Sequence, residues 1–571
     1  MMGGGANRMT ARLQRLLIFV CLTMLSQPHV FAAQSQSRVA KWTLFEQEFE
    51  NSGKYKNPFT DVSLEVVFSS PTGQVKVVEG FWDGGNRWKV RMSPDETGGW
   101  TYEIRLGATS KNEWSNNRGG FHCVQYDGVN SLYARGPLEV SRTGRYLQHA
   151  DGTPFFWLSD TAWNGPLKAD QKSWATYLED RQQKGFTAVQ FVTTQWIAAG
   201  GDAEDRRPYS TDGPISIDPE FFQRMDKRIA AINEHGMVSA PVLIWDVNPG
   251  HRSPSLDPGS SLSDDELARL AKYEVARYGA YHVAWILAGD GEYLGEKADR
   301  WKKIGRSVFG NTSSKIVTLH PAGQQWGSTE LENEPWFALI SYQSGHGDSP
   351  GDLEWLTSGP ASKNWKGSRT LPIINLEPNY EGHLAYQSRK PFDAHAVRRA
   401  AYWSLLVTPT AGVAYGAHGV WSWQTTPGVP MNHETTGIAP AWYDAIHFPG
   451  STDMKYLRNF FESLKWWTLR PAQELLANQP GNREAAEFVA AAQSEEEPWV
   501  VLYFPVGQKI HLNAEKFPQF AIVRWYDPSR GQWKDGEQAL GNSGELTAPD
   551  GGDWIAWIGA AAAGQHSGSK L

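Results

Sequence analysis

The chain has 571 residues, 54 basic and 62 acidic side chains, and 40% hydrophobic residues. This length predicts two to four domains with room for sizeable cores. Without a basic or acidic block, the near balance of charge argues against a nucleic-acid partner and a solvating acidic tail. The 27 Trp residues can fill cores or stack on the apolar faces of sugar rings.

Residues 1–33 have the pattern of a secretory signal peptide. Three arginines precede the apolar run at 16–25, and small residues follow at 30–33. The run is too short for a membrane span, so we expect a secreted or periplasmic protein. Cys21 leaves a lipid anchor open, although bulky side chains precede it. After cleavage only Cys123 remains, which excludes an intramolecular disulfide.

Residues 34–143 are predicted to form a β-sandwich. Strand-like alternation occurs at 63–68, 88–92 and 100–106, with Gly- and Pro-containing turns between these segments. Short strands at this spacing are typical of an immunoglobulin-like module.

Residues 144–468 alternate between strand and helix patterns, which predicts an α/β fold. Capping residues and glycine stops mark several helices, but the helix between the fifth and sixth strands is not evident. Eight βα units predict a (β/α)8 TIM barrel. A doubly wound open sheet is the alternative, weakened because no Gly-rich phosphate loop follows the first strand. The predicted strands are 155–159, 189–193, 238–245, 282–287, 316–319, 337–342, 371–376 and 412–415.

Residues 469–560 return to strand patterning. Apolar strand candidates at 499–504, 520–526 and 554–558 predict a second small β-sandwich. Residues 561–571, rich in Ala, Gly and Ser, are predicted to be a disordered tail.

Two carboxylates end predicted barrel strands. Asp290 ends the apolar run 282–290, and Glu377 ends the run 371–377. The spacing of about three βα units, at roughly 30 residues each, places them on strands four and seven. Their side chains can therefore meet across the barrel mouth, where such barrels build their chemistry. Two acids at one pocket can cleave a glycosidic bond, one as proton donor and one as nucleophile or base.

Other interpretations of these acids stay open. Asp290 could cap the next helix or form a turn beside Gly289 and Gly291, and Glu292 is a competing acid. Glu377 could form an ion pair beneath the pocket. Metal ligation and Ser-His-Asp hydrolysis are disfavoured, because the chain lacks a His-Glu-x-x-His motif, a Cys pair in the mature region and a Gly-x-Ser-x-Gly elbow after a strand. We expect no metal and no cofactor.

Further polar and aromatic side chains follow the predicted strand ends. Their repeated placement at one rim predicts a sugar site, in which rings stack on the sugar face and polar groups bind its hydroxyls. The predicted substrate-binding residues are Asp160, Trp163, Gln195, Trp196, Asp246, Glu292, His320, Gln343, His346, Tyr380, His418, Trp421 and Trp423.

Several of these segments, in the same order, are similar to segments of the apiosidase-like glycoside hydrolases. The resemblance covers roughly residues 144–468 and implies that the strand-four Asp and the strand-seven Glu are the catalytic pair, here Asp290 and Glu377. Ser159 and Leu376 depart from the family pattern, which predicts a reshaped sugar pocket. The similar segments are 159–163, 285–290, 318–323, 342–346, 375–381 and 415–421.

The flanking regions also resemble the family's common architecture. It has an N-terminal immunoglobulin-like domain of unknown function and a C-terminal sandwich named a "putative collagen-binding" domain. Together these features predict an exported glycosidase acting on an oligosaccharide or polysaccharide of plant or microbial origin. Asp290 would be the acid/base and Glu377 the nucleophile, with retention inferred from the barrel type. The alternatives are a non-catalytic carbohydrate-binding barrel and a glycosidase directed at arabinan or glucan.

Overall fold

The computed structural model describes residues 37–105, 114–115, 117–247, 256–310, 315–327, 329–367, 369–518 and 520–560. The predicted signal peptide and C-terminal tail lie outside these ranges. The described chain has a central, mostly parallel sheet with helices, flanked by an N-terminal and a C-terminal group of sheets. Within these ranges no helix is long and apolar enough to cross a bilayer.

The N-terminal part packs two sheets around one apolar cluster that includes the buried side chains of Phe68, Trp88, Trp100 and Phe121. Its elements are β1 (Arg38–Ala40), β2 (Phe45–Glu50), α1 (Pro58–Asp61), β3 (Glu65–Ser69), β4 (Val75–Glu79), β5 (Phe81–Trp82), β6 (Arg87–Met92), β7 (Gly98–Arg105), β8 (Arg118–Val124), α2 (Ser131–Arg135), β9 (Leu138–Val140), β10 (Leu147–His149) and β11 (Pro154–Phe155). The sheet orders are β1-β8-β7-β3-β4 and β2-β6-β5, with β11-β10-β9 forming a small third sheet.

The central part begins at β12 and ends at α13. Its elements are β12 (Trp157–Thr161), α3 (Gly165–Lys168), α4 (Gln171–Gln183), β13 (Ala188–Val192), β14 (Tyr209–Ser210), β15 (Ser216–Ile217), α5 (Pro219–Glu234), β16 (Val238–Trp245), α6 (Pro258–Ser261), α7 (Asp264–Tyr278), β17 (Trp285–Gly291), α8 (Gly295–Phe309), β18 (Val317–Pro321), β19 (Gln325–Trp326), β20 (Ile340–Gln343), α9 (Pro350–Ser358), α10 (Pro360–Asn364), β21 (Ile373–Glu377), α11 (Ala394–Leu406), β22 (Gly412–Gly416), α12 (Trp442–Ala445) and α13 (Pro449–Glu462).

The central sheet has the order β18-β17-β16-β13-β12-β22-β21-β20-β19. The first eight of these strands are parallel, and β19 pairs antiparallel with β20. Each strand predicted from the sequence corresponds to one of the eight. β12, β13, β16, β21 and β22 are buried along their whole length, as parallel strands covered on both faces are.

The sheet is nearly closed between β18 and β20. The Ala338 N–H donates to the Val317 carbonyl at 2.9 Å, and the Thr318 hydroxyl donates to the Leu339 carbonyl at 2.7 Å. A regular ladder between the two strands is not formed by the described residues. Between them the described chain contains β19 and turns instead of a helix, which explains why the sequence shows no helix pattern there.

Capping chemistry sets several helix starts. The Asp218 carboxylate accepts from the Glu220 N–H and precedes Pro219 at the first turn of α5. Ser263 and Glu266 form the capping box that begins α7. These helices pack outside the strands and leave the carboxyl ends of the strands open to the site.

The strands of the C-terminal part are β23 (Leu469–Pro471), β24 (Ala490–Ser494), β25 (Val500–Phe504), β26 (Lys509–His511), β27 (Ala521–Asp527), β28 (Gln532–Trp533), β29 (Gln538–Ala539), β30 (Glu545–Thr547) and β31 (Trp554–Ala560). They form an antiparallel sheet of order β23-β24-β25-β31-β27-β28 and a two-stranded sheet β26-β30. β29 pairs with β27.

Buried ion pairs join both flanking parts to the central part. On the N-terminal side, the Arg277 guanidinium bonds Asp83 at 2.8 Å and Asp226 at 2.6 Å. On the C-terminal side, the Arg398 guanidinium bonds Asp453 at 2.6 Å and Asp553 at 2.7 Å. Each arginine therefore satisfies one carboxylate in its own part and one across the junction.

Arg398→Ala is expected to destabilise the protein strongly. The substitution leaves Asp453 and Asp553 buried without their shared cation, and breaking a buried pair in this way costs about 3–5 kcal/mol. Thermal unfolding measures the effect as a lower Tm. The matched control is Arg530→Ala, because Arg530 is exposed and lies 3.7 Å from Asp527, a surface pair worth at most about 1 kcal/mol. Equal Tm losses in both variants would contradict a stabilising junction.

Candidate active site

A cavity of 730 Å³ opens at the carboxyl ends of the central strands. Asp290 at the end of β17 and Glu377 at the end of β21 both line it. Four indole rings line it as well and contact one another: Trp245 lies 5.5 Å from Trp163 and 4.3 Å from Trp196, and Trp196 lies 6.3 Å from Trp421, between centroids. The cavity thus combines two acids with an aromatic cluster.

Asp290 has an unusual backbone conformation for a strand residue. Its φ is +58°, in the left-handed region, and the pairing of β17 with β18 shifts register between Ile286 and Gly289 and again between Gly289 and Gly291. Such a conformation in a residue other than glycine costs about 1–3 kcal/mol and is found at functional sites. Gly289 and Gly291 flank it, and the bulge turns the carboxyl group away from the regular alternation of the strand.

The pKa of Asp290 is raised well above its usual value, first by burial and then by the negative charges of Glu377 and Asp257. The pKa of Asp257 is itself raised to about 7 by burial and by Asp246. Burial and the neighbouring carboxylates therefore favour the neutral form of Asp290. A neutral carboxyl group in a cavity can act as a general acid.

Glu377 has the opposite environment. The Nε2 atom of His346 lies 2.9 Å from Oε1, and the Nε2 atom of His320 lies 3.3 Å from Oε2. Burial alone would raise the pKa of Glu377, but the hydrogen bond from His346 and the adjacent imidazoles outweigh it and lower the pKa. Glu377 is therefore ionised, and each of its oxygens has an imidazole beside it.

Stacked imidazoles fix His346 in turn. Its ring lies 4.2 Å from that of His383, which lies 5.4 Å from His418. The His383 Nδ1 atom is 2.7 Å from the Leu384 carbonyl, and burial lowers the pKa of His383 strongly. Burial also lowers the pKa of His418 to about 4. Because its lowered pKa keeps His383 neutral, its ring can stack on His346 without charge repulsion and help to keep His346 aimed at Glu377.

The dependence of kcat/KM on pH is expected to be bell-shaped. The rate should rise as Glu377 ionises, at a pH below its ordinary pKa of 4.5. It should fall again as Asp290 loses its proton, at a pH well above its ordinary pKa of 3.8. His346→Leu removes the hydrogen bond to Glu377 and should move the acid limb to higher pH. His346→Gln keeps an N–H donor and should move it less. An acid limb at the same pH in His346→Leu would contradict this role.

Six of the thirteen predicted substrate-binding residues line the cavity. They are Trp163, Trp196, Gln343, His346, Tyr380 and Trp421. His320 and His418 lie behind the lining: the His320 ring packs edge-on against Trp163 at 5.3 Å, and the His418 Nδ1 atom accepts from Trp421 at 3.2 Å. Both act on cavity residues rather than lining the cavity, which corrects their predicted direct contact with sugar.

Asp160 and Asp246 do not line the cavity either, contrary to the prediction. The Asp160 carboxylate is fully buried and bonds Arg181 at 2.5 Å and the Tyr177 hydroxyl at 2.8 Å, both on α4. It therefore points from β12 toward the outer helices. Asp246 accepts from the Trp301 indole on α8 at 2.7 Å. Alternate residues of a strand face opposite sides, so a position near a strand end does not ensure that a side chain faces the mouth.

Gln195, Glu292 and Trp423 are also outside the lining. Gln195 is buried, Glu292 forms an ion pair with Lys297 at 3.3 Å, and Trp423 stacks on Trp442 at 4.8 Å. These side chains follow strand ends, but contacts elsewhere in the protein keep them out of the cavity lining.

The two positions that depart from the family pattern are internal as well. Ser159 accepts from the Trp157 indole at 3.0 Å, and Leu376 is 1% exposed. Neither lines the cavity, so any effect of these two positions on the sugar pocket would be indirect.

Other lining residues lie at positions that the sequence analysis does not single out. They include Gln324, Asp352, His383, Tyr386 and the segment 432–436. The segment lies at least 16 positions beyond the end of β22, and the Asn432 amide donates to the Ile197 carbonyl at 2.7 Å. A long-range contact of this kind leaves no local signal in the chain.

Among the described residues, no group of three or more His, Cys, Asp or Glu could hold a metal ion.

Solved glycoside hydrolases share this fold. A glycoside hydrolase family 5 protein from Bacteroides vulgatus ATCC 8482 is 21% identical, with a TM-score of 0.66, over 77% of this chain and 97% of that one. A "putative glycoside hydrolase" from the same organism is 19% identical, with a TM-score of 0.68, over 92% and 100%. No curated protein matches the chain in sequence. The molecule therefore has the fold of a glycoside hydrolase.

Residues 141–468 match the family described as "Apiosidase-like, catalytic domain". The match covers more than half of the chain, so the chain belongs to the apiosidase-like family and is a glycosidase. Residues 38–107 match a domain of unknown function, and residues 470–558 match the "Putative collagen-binding domain of a collagenase". The family resemblance inferred from the sequence is confirmed.

Proposed function

We propose that the protein is an exported glycosidase that cleaves a glycosidic bond in a plant or microbial polysaccharide through a retaining mechanism. Asp290 is the acid/base and Glu377 the nucleophile. One observation carries the proposal: two carboxyl groups line the same cavity, and their pKa values are moved in opposite directions. Opposed shifts in one site support Asp290 as the proton donor and Glu377 as the nucleophile.

In the first step, the neutral Asp290 carboxyl donates its proton to the glycosidic oxygen, and that bond to the anomeric carbon breaks. An ionised oxygen of Glu377 forms the new bond to the anomeric carbon, giving a covalent glycosyl-enzyme. In the second step, the Asp290 carboxylate takes a proton from water, and the water oxygen displaces Glu377. The sugar leaves with its original configuration.

The two acids are coupled through their charges. The negative charge of Glu377 is one cause of the raised pKa of Asp290. Once Glu377 is esterified that charge disappears, so the pKa of Asp290 falls and its carboxylate becomes available as a base. Each step thus prepares the other acid for the next one.

Three further features support the proposal. The nearly closed parallel sheet supports a (β/α)8 barrel, and its carboxyl ends carry both acids. The four indoles of the cavity offer apolar surface to a sugar face, and Gln343 and Gln324 offer amides to its hydroxyls. The signal-peptide pattern of residues 1–33 supports export.

A substrate screen tests the proposal. Purified enzyme is incubated with pectic, arabinan and glucan oligosaccharides, with and without a chelator, and the first-formed anomer is followed by NMR. We expect activity that the chelator leaves intact, and a product with retained configuration. Release of a single pentose from branched pectin would support an apiosidase-like specificity over the arabinan- or glucan-directed alternative. An inverted product would contradict the nucleophile, and activity restored by one added metal would contradict a metal-free mechanism.

A further inference from the structure

A rim loop, residues 428–439, exposes apolar side chains beside the cavity. Val429, Met431 and Ile438 are 47%, 48% and 73% exposed. They flank the segment 432–436, whose five residues line the cavity. Tyr386, on the loop that follows β21, is 50% exposed and lines the cavity too. These four residues form what we call the apolar rim.

The rim loop is firmly held, so the exposure does not come from a slack segment. Gly428 and Ala439 form an antiparallel bridge at its base, and Val429 and Ile438 are the residues that adjoin this bridge. The Thr436 carbonyl accepts from the Leu384 N–H at 3.1 Å. These bonds join the rim loop to the segment that carries Tyr386.

Exposed apolar side chains that cluster beside a binding cavity indicate a ligand surface. The occupant is constrained by chemistry. Bare sugar faces bind flat aromatic rings, and such rings lie inside the cavity. Against the branched aliphatic groups of Val429 and Ile438, sugar hydroxyls would lose their hydrogen bonds to water without replacement. An acyl substituent instead replaces a hydroxyl donor with a methyl or methylene group that gains from burial.

We infer that the apolar rim binds ester-linked acyl groups on the sugar residues that extend out of the cavity. The occupant is thus the acylated part of the same polysaccharide whose terminal or cleaved sugar occupies the cavity. This inference rests on the proposed function, because the rim is continuous with the proposed catalytic cavity through residues 432–436.

The test uses one polysaccharide that the wild-type enzyme cleaves, in its native form and after saponification to remove the esters. We expect kcat/KM to be about 10-fold higher on the native polymer, the effect of burying a small apolar group. The double variant Met431→Ser/Ile438→Ser should bring the ratio close to one by lowering kcat/KM on the native polymer. Val75→Ser removes another exposed apolar side chain, 62% exposed on β4, and should keep the wild-type ratio.

Several results would overturn the inference. One is a wild-type ratio near one, and another is an unchanged ratio in the double variant. Light scattering that shows a dimer broken by Ile438→Ser would assign the rim to a second copy of the chain. Binding to the Glu377→Gln variant, measured by affinity electrophoresis with both polymers, reports on the rim without cleavage. Tighter binding of the native polymer to this variant would support acyl binding by the rim even if the wild-type enzyme cleaved no polymer. Failure of the rim inference can therefore be told apart from failure of the proposed function.

Discussion

Glu377→Gln is expected to lower kcat by at least about 10⁴-fold, on the scale seen when a catalytic nucleophile is removed. The amide keeps the size and much of the hydrogen bonding of the side chain, but it cannot attack the anomeric carbon. The fold should persist, because the change removes one buried charge without opening a cavity. The measurement is single-turnover kinetics on a cleaved substrate, with circular dichroism to verify folding.

The matched control is Glu179→Gln, an exposed position on α4, which should keep wild-type turnover. Added azide can replace the missing nucleophile where the side chain is truncated, and in a Glu377→Ala variant it should yield a glycosyl azide of opposite configuration to the normal product. Near wild-type turnover in a purified, folded Glu377→Gln enzyme would remove Glu377 from the mechanism.

Asp290→Asn is expected to lower kcat/KM by about 10³-fold, within the range that general acid catalysis supplies. The loss should be smallest on substrates whose leaving group is a good one, because these need little protonation. Kinetics on a series of aryl glycosides with increasing leaving-group pKa measures this dependence. Glu292→Gln is the comparison, since Glu292 is the competing acid. Activity kept in Asp290→Asn and lost in Glu292→Gln would reverse the assignment.

The same substitution is expected to stabilise the fold. Asn tolerates the left-handed backbone conformation, and it removes a carboxyl group whose folded pKa is raised. Such a group contributes stability below its unfolded pKa and loses it as pH rises toward the folded value. The gain in Tm should therefore be larger at pH 7, about 2 °C, than at pH 4. A gain independent of pH would indicate relief of backbone strain alone.

Strand periodicity and strand ends were sufficient to predict where Asp290 and Glu377 lie in the fold. Both acids follow long apolar runs, and parallel strands bring such ends to one edge. The orientation of side chains near those ends could not be predicted. Asp160 also lies at the end of an apolar strand, yet its carboxylate pairs with Arg181 on the outer side of the sheet.

The contacts of the histidines with Glu377 could not be predicted from the sequence either. His346 lines the cavity, and its imidazole also contacts Glu377, a contact between side chains 31 positions apart in sequence. The sequence does not predict the bulge at Asp290 either, because glycines on both sides of a residue are also typical of an ordinary turn. Local pattern therefore places the two acids at strand ends, while the groups that shift their pKa values come from the packing of distant parts of the chain.

The shared arginines at the two junctions have a consequence for how this architecture can change over evolution. Arg277 and Arg398 each need a carboxylate on both sides of a domain boundary. Excising the central part, or recombining it with unrelated neighbours, would leave each arginine without the carboxylate that it bonds across the junction. Under an unrelated neighbouring domain these charges would be buried without a partner. The three parts are therefore expected to be inherited as a block, and an enzyme of this type would acquire new specificity through its loops rather than by exchanging its flanking domains.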